Sequence, residues 1–317
     1  MLKIKQLCKY YGDFLAVDHL DLDIQKGEIF GFVGPNGAGK TTTMKIVAGL
    51  LRETSGEIWI DGINTRKDEK RIKQKIGYMP DFFGVYDNLK VIEYIEFYAS
   101  MYGIVGKEGK RRAREMLEIV NLLEKESSYV DGLSRGMKQR LCLAQSMVHN
   151  PEVLILDEPA SGLDPRARHE MKEILKSLKQ IEKTIVISSH ILHELAEICT
   201  TVGIMDQGKL LVYGSIDNVL MQAKEKNTLK IQVYAGKEKV LRLLKENPKV
   251  ERVSILQNCL KLSFKGTEEE EAKLLRSLIE GGADINSFVR ERGNLEELFM
   301  TLTEEGEGQH ENQSNFK

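Results

Sequence analysis

The sequence predicts an α/β fold, and three observations carry that expectation. Short, continuously apolar runs rich in β-branched residues recur, at 28–33, Val153–Leu156 and 184–187. Runs of this length without alternation suit strands covered on both faces, as in a parallel sheet. Segments of helical periodicity, such as Arg168 to Gln180, lie between them, so strands and helices alternate. Finally, a glycine-rich turn, Gly34 to Thr41, joins the first run to a helical segment.

The rest of the chain can be read in order. The opening Met1-Leu2-Lys3-Ile4-Lys5-Gln6 alternates apolar and polar like a strand and lacks the apolar core of a signal peptide. A helical segment is expected over Thr42 to Leu51. From about residue 88 to 147 helix formers dominate, which predicts a helical insertion. The pattern from Gly214 to Lys226 reads as a helix with a polar end. Beyond it come a strand near Leu229–Tyr234, a helix near Glu238–Leu244, and strands near Val250–Leu256 and Leu260–Phe264. A helix near Glu268–Ile279, a strand near Ile285–Arg290 and a helix near Leu295–Leu302 complete a βαββαβα order, compatible with a small α+β domain. The acid run Glu268–Glu271 follows Thr267 and reads as a capped helix start. The expected division is 1–226, 227–303 and a disordered tail at 304–317, where Gly, Glu, Gln, Asn and Ser dominate.

Bulk properties narrow the function. At 317 residues the chain has room for about two domains. Hydrophobic residues make up 41% and charged residues 30%, the balance of a globular protein with a core. Lys plus Arg number 46 and Asp plus Glu 48, so the net charge of −2 argues against a bulk polyanion binder, and no nucleic-acid partner is expected. No apolar run reaches about 18 residues, so the chain is not expected to cross a membrane by itself. Cys8, Cys142, Cys199 and Cys259 are scattered and form no CxxC pair, which points to reduced thiols in a cytosolic protein.

Two motifs carry chemistry. Gly34-Pro35-Asn36-Gly37-Ala38-Gly39-Lys40-Thr41 fits G-x-x-x-x-G-K-[ST] between a strand and a helix. Glycines let successive amides turn inward around an anion, and the helix N-terminus adds positive potential. Lys40 would meet the β- and γ-phosphates of a nucleotide, and the Thr41 hydroxyl would ligate Mg²⁺. A chance match in a chain this long is on the order of one in a hundred. The second motif is an apolar strand ending in Asp157-Glu158. Alone, such a pair is usually loop solvation. Beside a phosphate loop it becomes a candidate metal anchor, Asp157, and a candidate general base, Glu158.

Together these residues resemble the nucleotide-binding subunit of ATP-binding cassette (ABC) transporters, over roughly Met1 to Lys226. Leu133-Ser134-Arg135-Gly136-Met137 looks like the family signature LSGGQ, Ser161-Gly162-Leu163-Asp164 like its D-loop, and Ser188-Ser189-His190 like the segment of its switch histidine. Tyr11, before Gly12, looks like the aromatic residue that stacks on adenine. The resemblance implies a P-loop NTPase core with a mixed sheet, an antiparallel β subdomain and a helical insertion. It also implies two cassettes sandwiching two ATP molecules. Residues 34–42, ending in Thr42, would hold phosphate. Ser134 and Gly136 would close over the γ-phosphate of the opposite subunit, Asp164 of the D-loop would belong to the nucleotide site, and Glu158 would polarise the water that His190 positions. Two departures stand out. Arg135 and Met137 replace the signature's Gly and Gln, and Asp81 replaces the Gln of the Q-loop, where it remains a hard oxygen ligand able to meet Mg²⁺.

The function implied is an ATPase subunit at the cytoplasmic face of the cell membrane. It would power transport, with export favoured, through a separately encoded permease of the ABC-2 type, paired with a second ABC ATPase subunit. A soluble ABC protein acting on ribosomes or nucleic acid is the alternative. A non-catalytic ATP-gated module is a third reading, disfavoured because Glu158 and His190 are present. Phe82, Phe83, Tyr86, Tyr94, Phe97, Tyr98 and Tyr102 crowd the region where the family's permease docks; they form either an exposed ledge or the insertion's own core. Lys110-Arg111-Arg112-Ala113-Arg114 reads as the solvated face of a helix. His190 and His193 lack a third ligand for a metal, and Trp59 reads as a packing residue.

Overall fold

Strands without a solvent face organise the first half of the molecule. In the computed structural model, which describes residues 1–82, 84–180, 183–190, 195–219, 228–256 and 259–291, β3 (Ile29–Val33), β7 (Val153–Leu156) and β8 (Thr184–Ser189) are buried at every residue. With β6 (Ile76–Met79), β9 (Thr201–Asp206) and β10 (Lys209–Ser215) they form a six-stranded sheet of order β10-β9-β3-β8-β7-β6. All pairs are parallel except β10–β9, so the sheet is mixed. Its parallel strands share one direction, which brings the ends of β3, β7 and β8 to the same edge, the usual place for a ligand in such sheets.

A second, antiparallel sheet of order β2-β1-β4-β5 is built from β1 (Leu2–Tyr11), β2 (Phe14–Ile24), β4 (Ser55–Ile60) and β5 (Ile63–Asn64). Its apolar face, with Leu2, Ile4, Leu20, Ile24 and Ile58, joins Phe30, Phe32 and Met44 in one buried cluster. Burial of a side chain of this size contributes about 1.5–3 kcal/mol, so this core fixes the β subdomain against the strand that feeds the phosphate loop. The first two helices are α1 (Lys40–Val47) and α2 (Glu69–Lys75). The first begins at Lys40 and stops at Val47, shorter than the sequence expectation of Thr42 to Leu51. Gly49 at φ +71 takes a left-handed conformation that ends the helix.

The insertion contains α3 (Val91–Met101), α4 (Gly106–Ile119), a 3-10 turn (Leu123–Lys125) and α5 (Arg135–Met147); α6 (Pro165–Gln180) follows β7. The basic cluster lies on α4 and spends much of its charge locally. Arg111 bonds Glu108 and Glu115, Arg114 makes a two-point contact with Glu126, and Ala113 faces the interior.

The chain divides into two compact units, Met1–Ile216 and Asp217–Lys317. In the second, β11 (Thr228–Ala235), β12 (Val250–Leu256), β13 (Cys259–Phe264) and β14 (Asp284–Glu291) form an antiparallel sheet of order β12-β13-β11-β14. Val240 and Leu244 of α7 (Lys237–Glu246) and Leu274 and Leu278 of α8 (Glu268–Glu280) share a core with Ile231, Leu262 and Phe264. The acid run does start a helix: the Thr267 N–H donates to Glu270 at 3.0 Å. The expected helix at Leu295–Leu302, the tail at 304–317, most of the polar helix end near Lys226, Phe83 and His193 lie outside the described residues. Among described residues no helix is long and apolar enough to cross a membrane.

Candidate active site

The phosphate loop leaves β3 and is tight at its base. A Cβ on Gly34 would lie 2.1 Å from the Met205 carbonyl oxygen, so only glycine lets β9 back the loop. Gly39 stands at φ +101 with the Ala16 carbonyl 2.5 Å from where its Cβ would be. Pro35, Asn36 and Gly37 are exposed, whereas Gly34, Ala38 and Gly39 are buried. The Lys40 side chain bends into its own loop and donates to the carbonyls of Gly34 at 2.7 Å and Pro35 at 3.0 Å. Burial pushes its ammonium below the usual lysine range; the negative charges of Glu158 and Asp157 oppose that shift.

Asp157 follows the last residue of β7 and is 1% exposed. One carboxylate oxygen, Oδ1, accepts from the Thr41 hydroxyl at 3.0 Å and from the Ser188 hydroxyl at 2.7 Å. The Ser188 oxygen in turn accepts from the Glu158 N–H at 2.9 Å. Ser188 thus holds both acids, a role the sequence reading did not assign. The only sequence signal was its place two residues before His190; the contact depends on β7 and β8 pairing in parallel across some thirty residues of chain. Glu158 sits at φ +50, a strained region for a side-chain-bearing residue. That turn aims its carboxylate at His190, whose Nδ1 lies 2.9 Å from Glu158 Oε2.

Asp81 follows β6 at the same sheet edge. Burial, then the charges of Asp157 and Glu158, hold its carboxyl above the usual carboxylate range, against the pull of Arg135 and His190. The structure therefore places Asp81 within electrostatic reach of the acid pair. The hydroxyl and carboxylate oxygens of Thr41 and Asp157 are hard donors at a buried position beside the phosphate loop, and they fit Mg²⁺.

The signature segment lies at the start of α5. Ser134 caps that helix, its hydroxyl accepting from the Met137 N–H at 3.3 Å. Gly136 is buried where a Cβ would meet Ala167 of α6 at 2.7 Å, so the glycine permits close helix packing. Arg135 reaches the D-loop: its Nη2 donates to the Ser161 carbonyl at 3.3 Å, and its guanidinium covers Gly162. Asp164 accepts from the Ala167 N–H at 2.9 Å and so caps α6. Thr42 lies in the first turn of α1, half-buried. Tyr11 ends β1, 48% exposed, with the Lys9 ammonium 5.1 Å over its ring.

The aromatic cluster answers to neither alternative alone. Tyr94 is fully buried and donates to Gln145 at 2.7 Å, while Phe82, Tyr86 and Tyr102 are exposed. Tyr86 lies 6.5 Å from the buried Tyr94 ring and meets the exposed Phe97 edge-on at 5.5 Å, so an interior ring supports an outer ledge.

The model of the ABC transporter family matches residues 17–161. The linearmycin resistance ATP-binding protein LnrL of Bacillus subtilis is 32% identical over 96% of this chain and 98% of its own. This chain belongs to the ABC transporter ATP-binding proteins. The bacitracin transport ATP-binding protein BcrA of Bacillus licheniformis is 36% identical over 95% of this chain and 97% of its own. Among solved structures, the ATP-binding cassette MJ0796, a post-hydrolysis dimer bound to ADP and phosphate, aligns with a TM-score of 0.62 at 27% identity. That alignment covers 68% of this chain and 99% of the cassette. The ABC protein described here is the ATP-binding, ATP-hydrolysing subunit of a transporter. The reading as a ribosomal or nucleic-acid factor finds no such support.

Proposed function

We propose that this subunit drives export, from the cytoplasmic face of the membrane, of a drug, antibiotic, lipid or polysaccharide. Support comes from near full-length likeness to proteins named for linearmycin resistance, bacitracin transport and Nod factor export. The exposed ledge of Phe82, Tyr86 and Tyr102 is the surface we assign to the membrane subunit. We also take residues 227–303 as an accessory domain beside a cassette of 1–226.

One observation carries the catalytic assignment: Asp157, Thr41 and Ser188 share a single carboxylate oxygen while Glu158 and His190 pair beside them. In our reading, residues 34–42 and Lys40 hold the phosphates of ATP. Thr41, Asp157 and Asp81 hold Mg²⁺, which when bound neutralises phosphate charge. Tyr11 stacks on adenine. Glu158 accepts a proton from the attacking water, and His190, already bonded to Glu158, keeps that carboxylate turned toward it and contacts the γ-phosphate. Ser134, Gly136 and Asp164 act on the nucleotide of the opposite subunit, so ATP shifts the pair toward closure and hydrolysis releases it.

Glu158→Gln keeps the shape and removes the base. Purified with its membrane subunits, the variant is expected to bind ATP and to dimerise while turnover falls about 10²–10⁴-fold, the usual contribution of a general base. Turnover near the parent value would remove Glu158 from the role.

A further inference from the structure

The pairing of β1 with β2 shifts register at three points, and at the middle one β2 carries an extra residue. Leu7 faces Leu20 and Lys9 faces Val17, so Cys8 alone stands opposite two residues, Asp18 and His19. This is a β-bulge, and bulges re-aim side chains. His19 takes φ +48 there, a left-handed conformation that costs a side-chain-bearing residue on the order of 1 kcal/mol or more. Regular alternation would send the side chains of Asp18 and His19 to opposite faces. The bulge instead gathers Cys8 Sγ, a His19 ring nitrogen and an Asp18 carboxylate oxygen within 4.8 Å of one another. Among the described residues no other three His, Cys, Asp or Glu side chains converge in this way.

We propose that Cys8, Asp18 and His19 form a binding site for a thiophilic divalent cation of the Zn²⁺ class. The donor set is one sulfur, one imidazole nitrogen and one carboxylate oxygen. Soft and borderline ions accept that mixture, whereas Mg²⁺ and Ca²⁺ require mostly oxygen. Three protein ligands leave a fourth position for water, and the solvent side is open because the His19 side chain is exposed. Cys8 is 3% exposed, so its sulfur is shielded on the core side while the imidazole faces solvent.

The surroundings already serve such ligands. The His19 backbone N–H donates to Cys8 Sγ at 3.3 Å and fixes the sulfur beside the imidazole of the same residue. Asp18 Oδ1 holds His19 Nδ1 at 2.5 Å and fixes the ring; an ion displaces the proton between them and spreads the two atoms apart. With metal–ligand bonds of about 2.0–2.3 Å, small rotations of the exposed imidazole suffice to bring the three donors to tetrahedral spacing. The site also touches the phosphate loop through the backbone. The Asp18 N–H donates to the Gly208 carbonyl at 2.9 Å, and the Gly208 N–H donates to that of Ala38 at 3.1 Å. A cation here pins the bulge from which this relay begins.

The test is a Co²⁺ titration of the nucleotide-free full-length chain after chelator treatment. One equivalent is expected to give the near-ultraviolet thiolate-to-cobalt band and the strong visible bands of a four-coordinate ion, and Zn²⁺ should erase both. Cys8→Ser should remove the thiolate band although Cys142, Cys199 and Cys259 remain. His19→Gln changes an exposed side chain, so its fold is not at risk. It should weaken Zn²⁺ competition by about 100-fold or more, beyond the 10–100-fold of a lost outer-shell contact. A parent protein without the thiolate band, a band that survives Cys8→Ser, or unchanged affinity in His19→Gln would each overturn the proposal.

Discussion

The phosphate side and the signature side of the candidate ATP site are built in opposite ways. On the phosphate side the polar groups converge within one chain: Thr41, Asp157, Ser188, Glu158 and His190 form a continuous run of hydrogen bonds at the ends of buried strands. On the signature side each group is turned to its own neighbourhood. Ser134 caps its own helix, Gly136 packs on α6, and Arg135 lies on the D-loop. The first surface is finished machinery. The second is a capped helix end which, on the proposed reading, works on a nucleotide brought by another subunit. On that reading the dependence on a partner resides in α5, not in the phosphate loop.

The sharpest way to break this comparison is complementation. Lys40→Ala and Ser134→Arg homodimers are each expected to lose nearly all ATPase activity. Mixed together, they regain about a quarter of the parent turnover, because half of the random dimers carry one intact composite site out of two. If each site lay within one chain, the mixture would stay inactive. Ser188→Ala tests whether the phosphate side is one network. Its loss leaves Asp157 buried with one donor fewer and the Glu158 N–H without its acceptor, a destabilisation of about 1–3 kcal/mol in thermal or denaturant unfolding. Turnover should fall with it, while Ser134→Ala, at an exposed cap, costs only about 1 kcal/mol.

Smaller effects sharpen the picture. Tyr11→Ala should weaken ATP affinity about tenfold by calorimetry, within the usual range for stacking on a base; unchanged affinity would count against the stacking role. Asp81→Asn probes the crowded acids. The folded-state carboxyl is raised, so its favourable contribution is present below the ordinary carboxylate range and is lost as pH rises through the raised value. The variant should therefore melt slightly above the parent near pH 7, and the difference should close as pH falls.

Much of this was legible from the chain itself. The strand cores were visible because residues buried on both faces leave continuous apolar runs, and the phosphate loop because its glycines are compulsory. Asp157 and Glu158 could be placed because a strand end fixes where the next residues go. Other features depend on which strands become neighbours. Ser188 acquires its role only when β8 lies beside β7. The gathering of Cys8, Asp18 and His19 depends on a single extra residue between two strands, which no alternation pattern records. The aromatic run could be found but not sorted, because burial of Tyr94 beside exposed Tyr86 is decided by the packing of α3 on α5.

The inward bend of Lys40 bears on the end of the cycle. When spent nucleotide departs, a cation left alone in a partly dry cleft would pull it back. Here the ammonium can settle on the two carbonyls of Gly34 and Pro35. If Lys40 holds the phosphates as proposed, that berth keeps its ammonium hydrogen-bonded once product leaves and lowers the cost of letting ADP go.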